Sequence, residues 1–151
     1  MIINGVEINN FTEAEFSENI KYASPELIIN LDILRDLMGY AINPSPVSGA
    51  LARMYGSKKS QHYAVNRLST AIDVFITCDP FEAYSKILSS KLFSRVGIYP
   101  FTYFNNKPHM MWHLDLRDNP LMWIREKNGK YIYNVNDIFY KKLYSYLKEV
   151  F

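Results

Sequence analysis

Met110-Met111-Trp112-His113-Leu114-Asp115-Leu116-Arg117 reads as a β-strand whose side chains alternate in character. At a period of two, Trp112, Leu114 and Leu116 face one side, and His113, Asp115 and Arg117 the other. Residues 70–77, Thr-Ala-Ile-Asp-Val-Phe-Ile-Thr, form a second β-rich run, apolar on both faces apart from Asp73. Residues 95–99 read as a third strand, joined to 110–117 by a polar, aromatic loop. Asn128-Gly129 marks a hairpin between 121–127 and 130–134, and residues 2–8 alternate around the turn dipeptide Asn4-Gly5.

Helical patterns surround these strands. Residues 25–40 carry Leu27, Ile28, Leu31, Leu34, Leu37 and Met38 at helical spacing, with Ser24 as cap, Pro25 at the first helical position and Gly39 as stop. Residues 11–22 predict an amphipathic helix capped by Thr12, with Glu15 at the capping-box position. Asp79-Pro80 starts another, running to about residue 93. Residues 136–149 place Phe139, Leu143, Tyr146, Leu147 and Val150 on one stripe of a docked helix. Pro44, Pro46, Gly49 and Gly56 punctuate residues 43–60, which predicts a loop with a short helical piece at 48–55. The expected fold is α+β, a small, mostly antiparallel sheet flanked by helices. No repeat or linker divides the chain, so residues 1–151 are read as a single domain.

Composition narrows the function classes. A hydrophobic share of 48% in 151 residues can fill one core, which argues against global disorder. A net charge of +2 gives no case for nucleic-acid binding. No window approaches the roughly 18 apolar residues of a membrane span. The start, Met1-Ile2-Ile3-Asn4-Gly5, lacks the basic and apolar segments of a signal peptide, so synthesis in the cytoplasm is expected. The single cysteine, Cys78, excludes an internal disulfide and a cysteine-based zinc site; at the end of an apolar run it reads as a buried structural thiol.

Three residues stand out chemically. A buried carboxylate at Asp73 costs several kcal/mol unless it finds a metal ion, an arginine or a backbone cap. His113 shares a strand face with a carboxylate and a guanidinium, which would otherwise be a solvated outer face. His62 ends a Gly/Ser/Lys-rich loop. Together, two imidazoles and a carboxylate make a common zinc set that leaves a fourth position open for water. Zinc with an open position acidifies that water and polarises a carbonyl, which suits amide hydrolysis.

Ser60-Gln61-His62, then Ala71-Ile72-Asp73-Val74, then His113-Leu114-Asp115-Leu116-Arg117 resembles the hedgehog/DD-peptidase superfamily. Its nearest branch is that of the D-alanyl-D-alanine carboxypeptidases and phage endolysins. Val96-Gly97-Ile98-Tyr99-Pro100 and Trp123 are also similar to phage versions, and the likeness spans roughly residues 45–125. The resemblance implies a hedgehog/DD-peptidase-like fold with one Zn2+ per chain on His62, Asp73 and His113. It also implies a peptidoglycan stem peptide as substrate, and a phage lysis or virion protein acting on the host cell wall. The chain departs from the pattern in three places. The segment from His62 to Asp73 is longer than usual, Val65 replaces a glycine, and the upstream arginine turn is matched only loosely by Arg53. A further change bears on catalysis: Met110 stands where many members carry the acidic catalytic base.

Two residues offer to replace that base. His109 offers an imidazole as proton acceptor, although it also reads as a loop histidine after Pro108. Asp115 either works as base or orients His113 as a supporting carboxylate. Arg117 either clamps a substrate carboxylate or pairs with Asp115 or Asp118. Arg53 is the expected oxyanion or substrate contact, by the family likeness. Tyr99, Phe101, Tyr103 and Phe104 either line a groove for a sugar–peptide polymer or pack within the fold. The acid missing at Met110 keeps a second expectation open: a metal-binding but inactive recognition domain, as hedgehog signalling domains are.

Overall fold

The computed structural model describes all residues except Asn4, Asn134, Val135, Val150 and Phe151. Its centre is the antiparallel pair β4 (Ala71–Ile76) and β6 (Lys107–Asp115), the two runs that carry Asp73 and His113. Around it a six-stranded sheet is completed by β3 (Ile42–Pro44), β5 (Arg95–Phe104), β7 (Leu121–Arg125) and β8 (Tyr131–Ile132). The order is β3-β4-β6-β5-β7-β8, antiparallel throughout except for the parallel pair β5 and β7. That exception arises because the chain leaves β6 beside the start of β5 and crosses that end before entering β7. The crossing is tied down by Leu121 N–H to the Ser94 carbonyl at 3.2 Å and Arg95 Nε to the Asn119 carbonyl at 2.7 Å. A separate hairpin pairs β1 (Ile2–Ile3) with β2 (Val6–Glu7), turning at Gly5 in the left-handed region; Asn4 of the expected turn lies outside the described residues.

Three helices bury one face of the sheet: α1 (Pro25–Met38), α2 (Pro80–Ser90) and α3 (Asp137–Glu149). The Ser24 hydroxyl caps α1 by accepting from Leu27 N–H, and Gly39 closes it at φ 70°. Asp79 caps α2 by accepting from Phe81 and Glu82 N–H. Leu27, Leu31 and Leu34 of α1 and Phe139, Leu143 and Leu147 of α3 join Ile72, Val74, Trp112, Leu114, Ile98 and Ile124 of the sheet in one buried cluster. Each such side chain contributes about 1.5–3 kcal/mol by leaving water. Val150, expected on the α3 stripe, lies outside the described residues. No helix among the described residues is long and apolar enough to cross a membrane.

The architecture is therefore mixed α and β with a mostly antiparallel sheet, as expected, while several local expectations fail for tertiary reasons. Residues 11–22 form two 3-10 turns, Glu13–Glu15 and Ile20–Tyr22, not a helix. The Thr12 N–H does donate to Glu15, at 2.8 Å, but the neighbouring backbone is bound elsewhere. Asp32 accepts from Asn9 and Asn10 N–H, Arg35 donates to the Asn10 carbonyl, and Asn19 caps Lys21. Residues 48–55 are not helical: Gly49 sits at φ 88°, and the Ala50 carbonyl accepts from Asp73 N–H at 2.9 Å. Residues 42–44, partly assigned to a loop, form edge strand β3. The expected loop between 95–99 and 110–117 is strand on both arms, turned by Asn105 and Asn106 at φ 51° and 61°. The irregularity between Tyr99 and Thr102 contains Pro100, which has no N–H for the ladder. Cys78 is half-buried, with its sulfur 3.9 Å from that of Met38; burial and the nearby Glu82 carboxylate push the thiol up to about 11.

Met110 is 1% exposed within the helix-facing core. The position that resembled a catalytic acid is therefore a core position, on the opposite face of β6 from His113. Met110→Glu is expected to lose roughly 3 kcal/mol or more of unfolding free energy in urea. A variant of unchanged stability would show that this side chain is not buried as described.

Candidate metal centre

A single row of residues crosses four strands on the sheet face away from the helices. Asp73 of β4 pairs with His113 of β6, His113 with Gly97 of β5, and Gly97 with Trp123 of β7. Two residues along β6, Asp115 lies on the same face and is 0% exposed, while His113 is 7% exposed. The polar side of this strand is thus closed over, not solvated. What closes it is the irregular segment 45–69. Ser45 N–H donates to the Asp73 carbonyl at 2.8 Å, and Arg53 N–H to the His62 carbonyl at 2.6 Å. Thr70 binds both the backbone carbonyl and the side chain of Gln61, and the Glu18 carboxylate accepts from Gly49 and Leu51 N–H. These bonds deliver His62 to the face carrying Asp73 and His113.

Three ligand atoms converge there. His113 Nδ1 lies 3.0 Å from Asp73 Oδ1 and 3.1 Å from His62 Nε2, and the last two are 3.5 Å apart. A tetrahedral ion with bonds of 2.0–2.1 Å holds its ligand atoms about 3.3 Å from one another. The three residues are close enough to hold a metal ion, and the triangle matches one face of such a tetrahedron.

The remaining hydrogen bonds support the same assignment. His113 Nε2 faces Asp115 Oδ2 at 3.1 Å, so the proton belongs on Nε2 and the lone pair of Nδ1 points at Asp73 and His62. The Nδ1 lone pair of His113 and the Asp73 carboxylate are answered either by a proton, on His62 Nε2 or on His113 itself, or by a metal ion. Burial works against a charged His113, yet the Asp115 and Asp73 carboxylates on its two nitrogens raise its pKa overall. Burial likewise opposes ionisation of Asp73, but hydrogen bonds and charge from His113 and His62 hold it well below the usual carboxylate range. Asp115 is held down in the same way by His113 and Arg117. Arg117 reaches Asp115 Oδ2 through Nη2 at 2.6 Å, and its backbone N–H donates to Oδ1 at 3.0 Å. Arg117, Asp115 and His113 thus form a chain that fixes the imbedded imidazole's tautomer and direction.

The triangle opens onto a cleft of about 570 Å3. Arg53 lines it, its stem lying over Gly49 so closely that a Cβ there would come within 2.6 Å of Arg53 Cγ. Its Nη2 donates to Ser60 Oγ at 2.7 Å, its Nε is buried without a partner, and no carboxylate pairs with it among the described residues. Tyr99 also lines the cleft; its hydroxyl accepts from Trp123 Nε1 at 3.2 Å, and burial raises its pKa. Trp123 lies across Gly97, where a Cβ would meet the indole at 2.5 Å, and its ring sits 5.1 Å from that of His113.

The expected residues thus divide. His62, Asp73 and His113 come together, Asp115 stands behind them, Arg117 pairs with Asp115 and also lines the cleft, and Arg53 and Tyr99 line the opening. His109 does not join them: it is four residues from His113 along β6, roughly 13 Å, and packs against Phe75 and Phe104. Asp115 sits on the nitrogen of His113 opposite to Nδ1, fully buried, a place for orienting the ligand. Gly97 is the residue that sequence reasoning passed over. A glycine inside a strand signals close approach of another group, here the Trp123 indole. Comparison with protein-family models, curated proteins and solved structures gives no match.

If the triangle holds a metal ion, Asp115→Asn is expected to weaken its binding by 10–100-fold in a competition titration against a chromophoric chelator; unchanged affinity would remove Asp115 from the support of His113. Gly97→Ala should cost about 1–3 kcal/mol in denaturant unfolding, with altered tryptophan fluorescence as Trp123 is displaced.

Proposed function

We propose that the chain is a zinc metallopeptidase that hydrolyses peptidoglycan stem peptides or their cross-links, as a phage lysis or virion protein would. The observation that carries this reading is the His62–Asp73–His113 triangle, open on one side to a cleft that also presents the uncompensated Arg53 guanidinium. A zinc ion in this setting supplies a Lewis acid that acidifies water and polarises a carbonyl. The protein supplies the rest. His62, Asp73 and His113 hold the ion, Asp115 and Arg117 keep His113 aimed, and Arg53 offers charged donors to a substrate carboxylate or a developing oxyanion. Tyr99 adds a phenol at the mouth, its acceptor side already taken by Trp123. Zinc is preferred to a hard cation because two of the three donors are imidazole nitrogens.

One observation favours a second reading. Asp73 is the only carboxylate lining the cleft among the described residues, and it belongs to the triangle. With Met110 in the core and His109 distant, no separate carboxylate or imidazole lines the cleft among the described residues. A metal-binding recognition domain of the same build has no need of one.

Elemental mass spectrometry on untagged protein, paired with a stem-peptide hydrolysis assay, separates these readings. About one zinc per chain is expected, lost in His62→Ala, with hydrolysis that stops on chelation and returns with zinc. Zinc without hydrolysis of any stem peptide or cross-linked fragment selects the recognition domain. No metal in the wild type, even after zinc is supplied, overturns both. Zinc affinity should also fall as pH is lowered, because protons compete for the imidazole nitrogens, and the raised pKa of His113 starts that competition at a higher pH.

A further inference from the structure

Beyond the metal cleft, the same sheet face continues into a second groove of about 380 Å3, within the range of small-ligand sites. It shares Tyr99, Arg117, Trp123 and Tyr131 with the cleft, so the two form one continuous surface. An aromatic strip runs along it from the metal site. The Trp123 ring lies 5.1 Å from that of His113, Tyr133 lies 6.4 Å from Trp123, and Tyr131 lies 6.0 Å from Tyr133. The two tyrosines are near-parallel, at 23°, and 45% and 50% exposed. Half-exposed, the two rings present aromatic carbon and phenol hydroxyls to the groove.

Charge surrounds the strip. Arg95 lines the groove with its Nε on the Asn119 carbonyl, and Arg125 lies 5.9 Å over the Tyr131 ring. Neither has a carboxylate partner among the described residues. A fitting ligand therefore offers an apolar face to the tyrosines and a rim of oxygen acceptors to the guanidiniums. An aromatic side chain satisfies the rings and leaves the arginines unanswered; a carboxylate alone does the reverse. A pyranose ring does both, through its C–H face and its hydroxyl and acyl oxygens.

The aromatic groove foreseen at Tyr99, Phe101, Tyr103 and Phe104 is not this surface. Phe104 stacks on Phe75, and Phe101 packs edge-on against Tyr146. Tyr99 and Tyr103 line the metal cleft, and of the four only Tyr99 reaches the second groove.

We propose that Tyr131 and Tyr133, with Arg95 and Arg125, form a saccharide subsite contiguous with the metal cleft, so that the ligand is a sugar-bearing peptide and not a free one. This rests on the peptidase reading for the identity of the peptide, while the saccharide subsite is testable without turnover. Binding of a disaccharide–tetrapeptide and of the same tetrapeptide without its sugars is measured by calorimetry on the zinc-supplemented full chain. The wild type should bind the sugar-bearing ligand at least tenfold more tightly. Tyr133→Ala should bring that ratio close to one, and Tyr133→Phe should keep it, since stacking needs the ring and not the hydroxyl. Equal affinity in the wild type overturns the subsite, and so does a preference that survives in Tyr133→Ala. The preference needs no variant to be read, so a poorly folding mutant leaves the test intact. A sugar preference without hydrolysis keeps the subsite and sinks the peptidase; hydrolysis with equal affinities does the opposite.

Discussion

The fold depends on the pairing of Asp73 with His113 across β4 and β6. A slip of one residue in that register would part the two side chains and send one of them to the opposite face, among Leu31, Phe139 and the rest of the helix-packed core. In the observed register, Ile72, Val74, Trp112 and Leu114 take the helix side, and every ionisable residue of the two strands' centres takes the other. The hydrophobic effect on one face thereby sets the geometry of the polar cluster on the other. The cluster lies at the middle of a six-stranded sheet, where neighbouring strands restrain the backbone on both sides. That is a rigid place for ligands whose spacing has to hold to a few tenths of an ångström.

His62 comes from a segment with no regular secondary structure between β3 and β4, and its placement needs a different kind of support. Glu18 and Ser69 supply it by side-chain bonds to the backbone of residues 49–61, and the Thr70 hydroxyl adds a bond to the Gln61 side chain. Ser69 alone meets the carbonyls of Leu51, Gln61 and Ala71. Such bonds satisfy a covered loop that would otherwise bury unpaired backbone groups. They also explain why residues 11–22 are not a helix, since Glu18 is placed by an irregular path that brings its carboxylate to Gly49.

Legibility followed the range of the interactions. Alternation in 110–115, the apolar run 71–76 and the capped repeat of 25–38 are local signals, and all three elements form there. The grouping of Asp73 and His113 was legible because a lone carboxylate in an apolar strand and an imidazole on a strand face are anomalies of burial. The misreadings lie where distant groups bind the backbone, in residues 11–22 and 48–55. His109 shows the limit of sequence adjacency: it is near His113 in number, on the same face, and still two side-chain rows away. The partnership of Gly97 with Trp123 needed the parallel pairing of β5 with β7, which no hairpin signal encodes.

Charge accounting connects the cluster to its opening. Asp115 is neutralised by Arg117, whereas Asp73 has only imidazoles beside it. With both histidines neutral, Asp73 Oδ1 and His113 Nδ1 have the single proton of His62 Nε2 to share between them. A divalent ion would answer all three atoms at once and would leave a net positive charge at the base of the cleft. Arg53 adds to that charge from the wall, so the cleft favours carbonyl and carboxylate oxygens over cations. The guanidinium of Arg95 extends the same sign along the groove, and that of Arg125 lies over the Tyr131 ring at its margin. The surface is thus graded from a charged, enclosed centre to an aromatic, half-open margin, which suits a ligand that is acyl at one end and ring-shaped at the other.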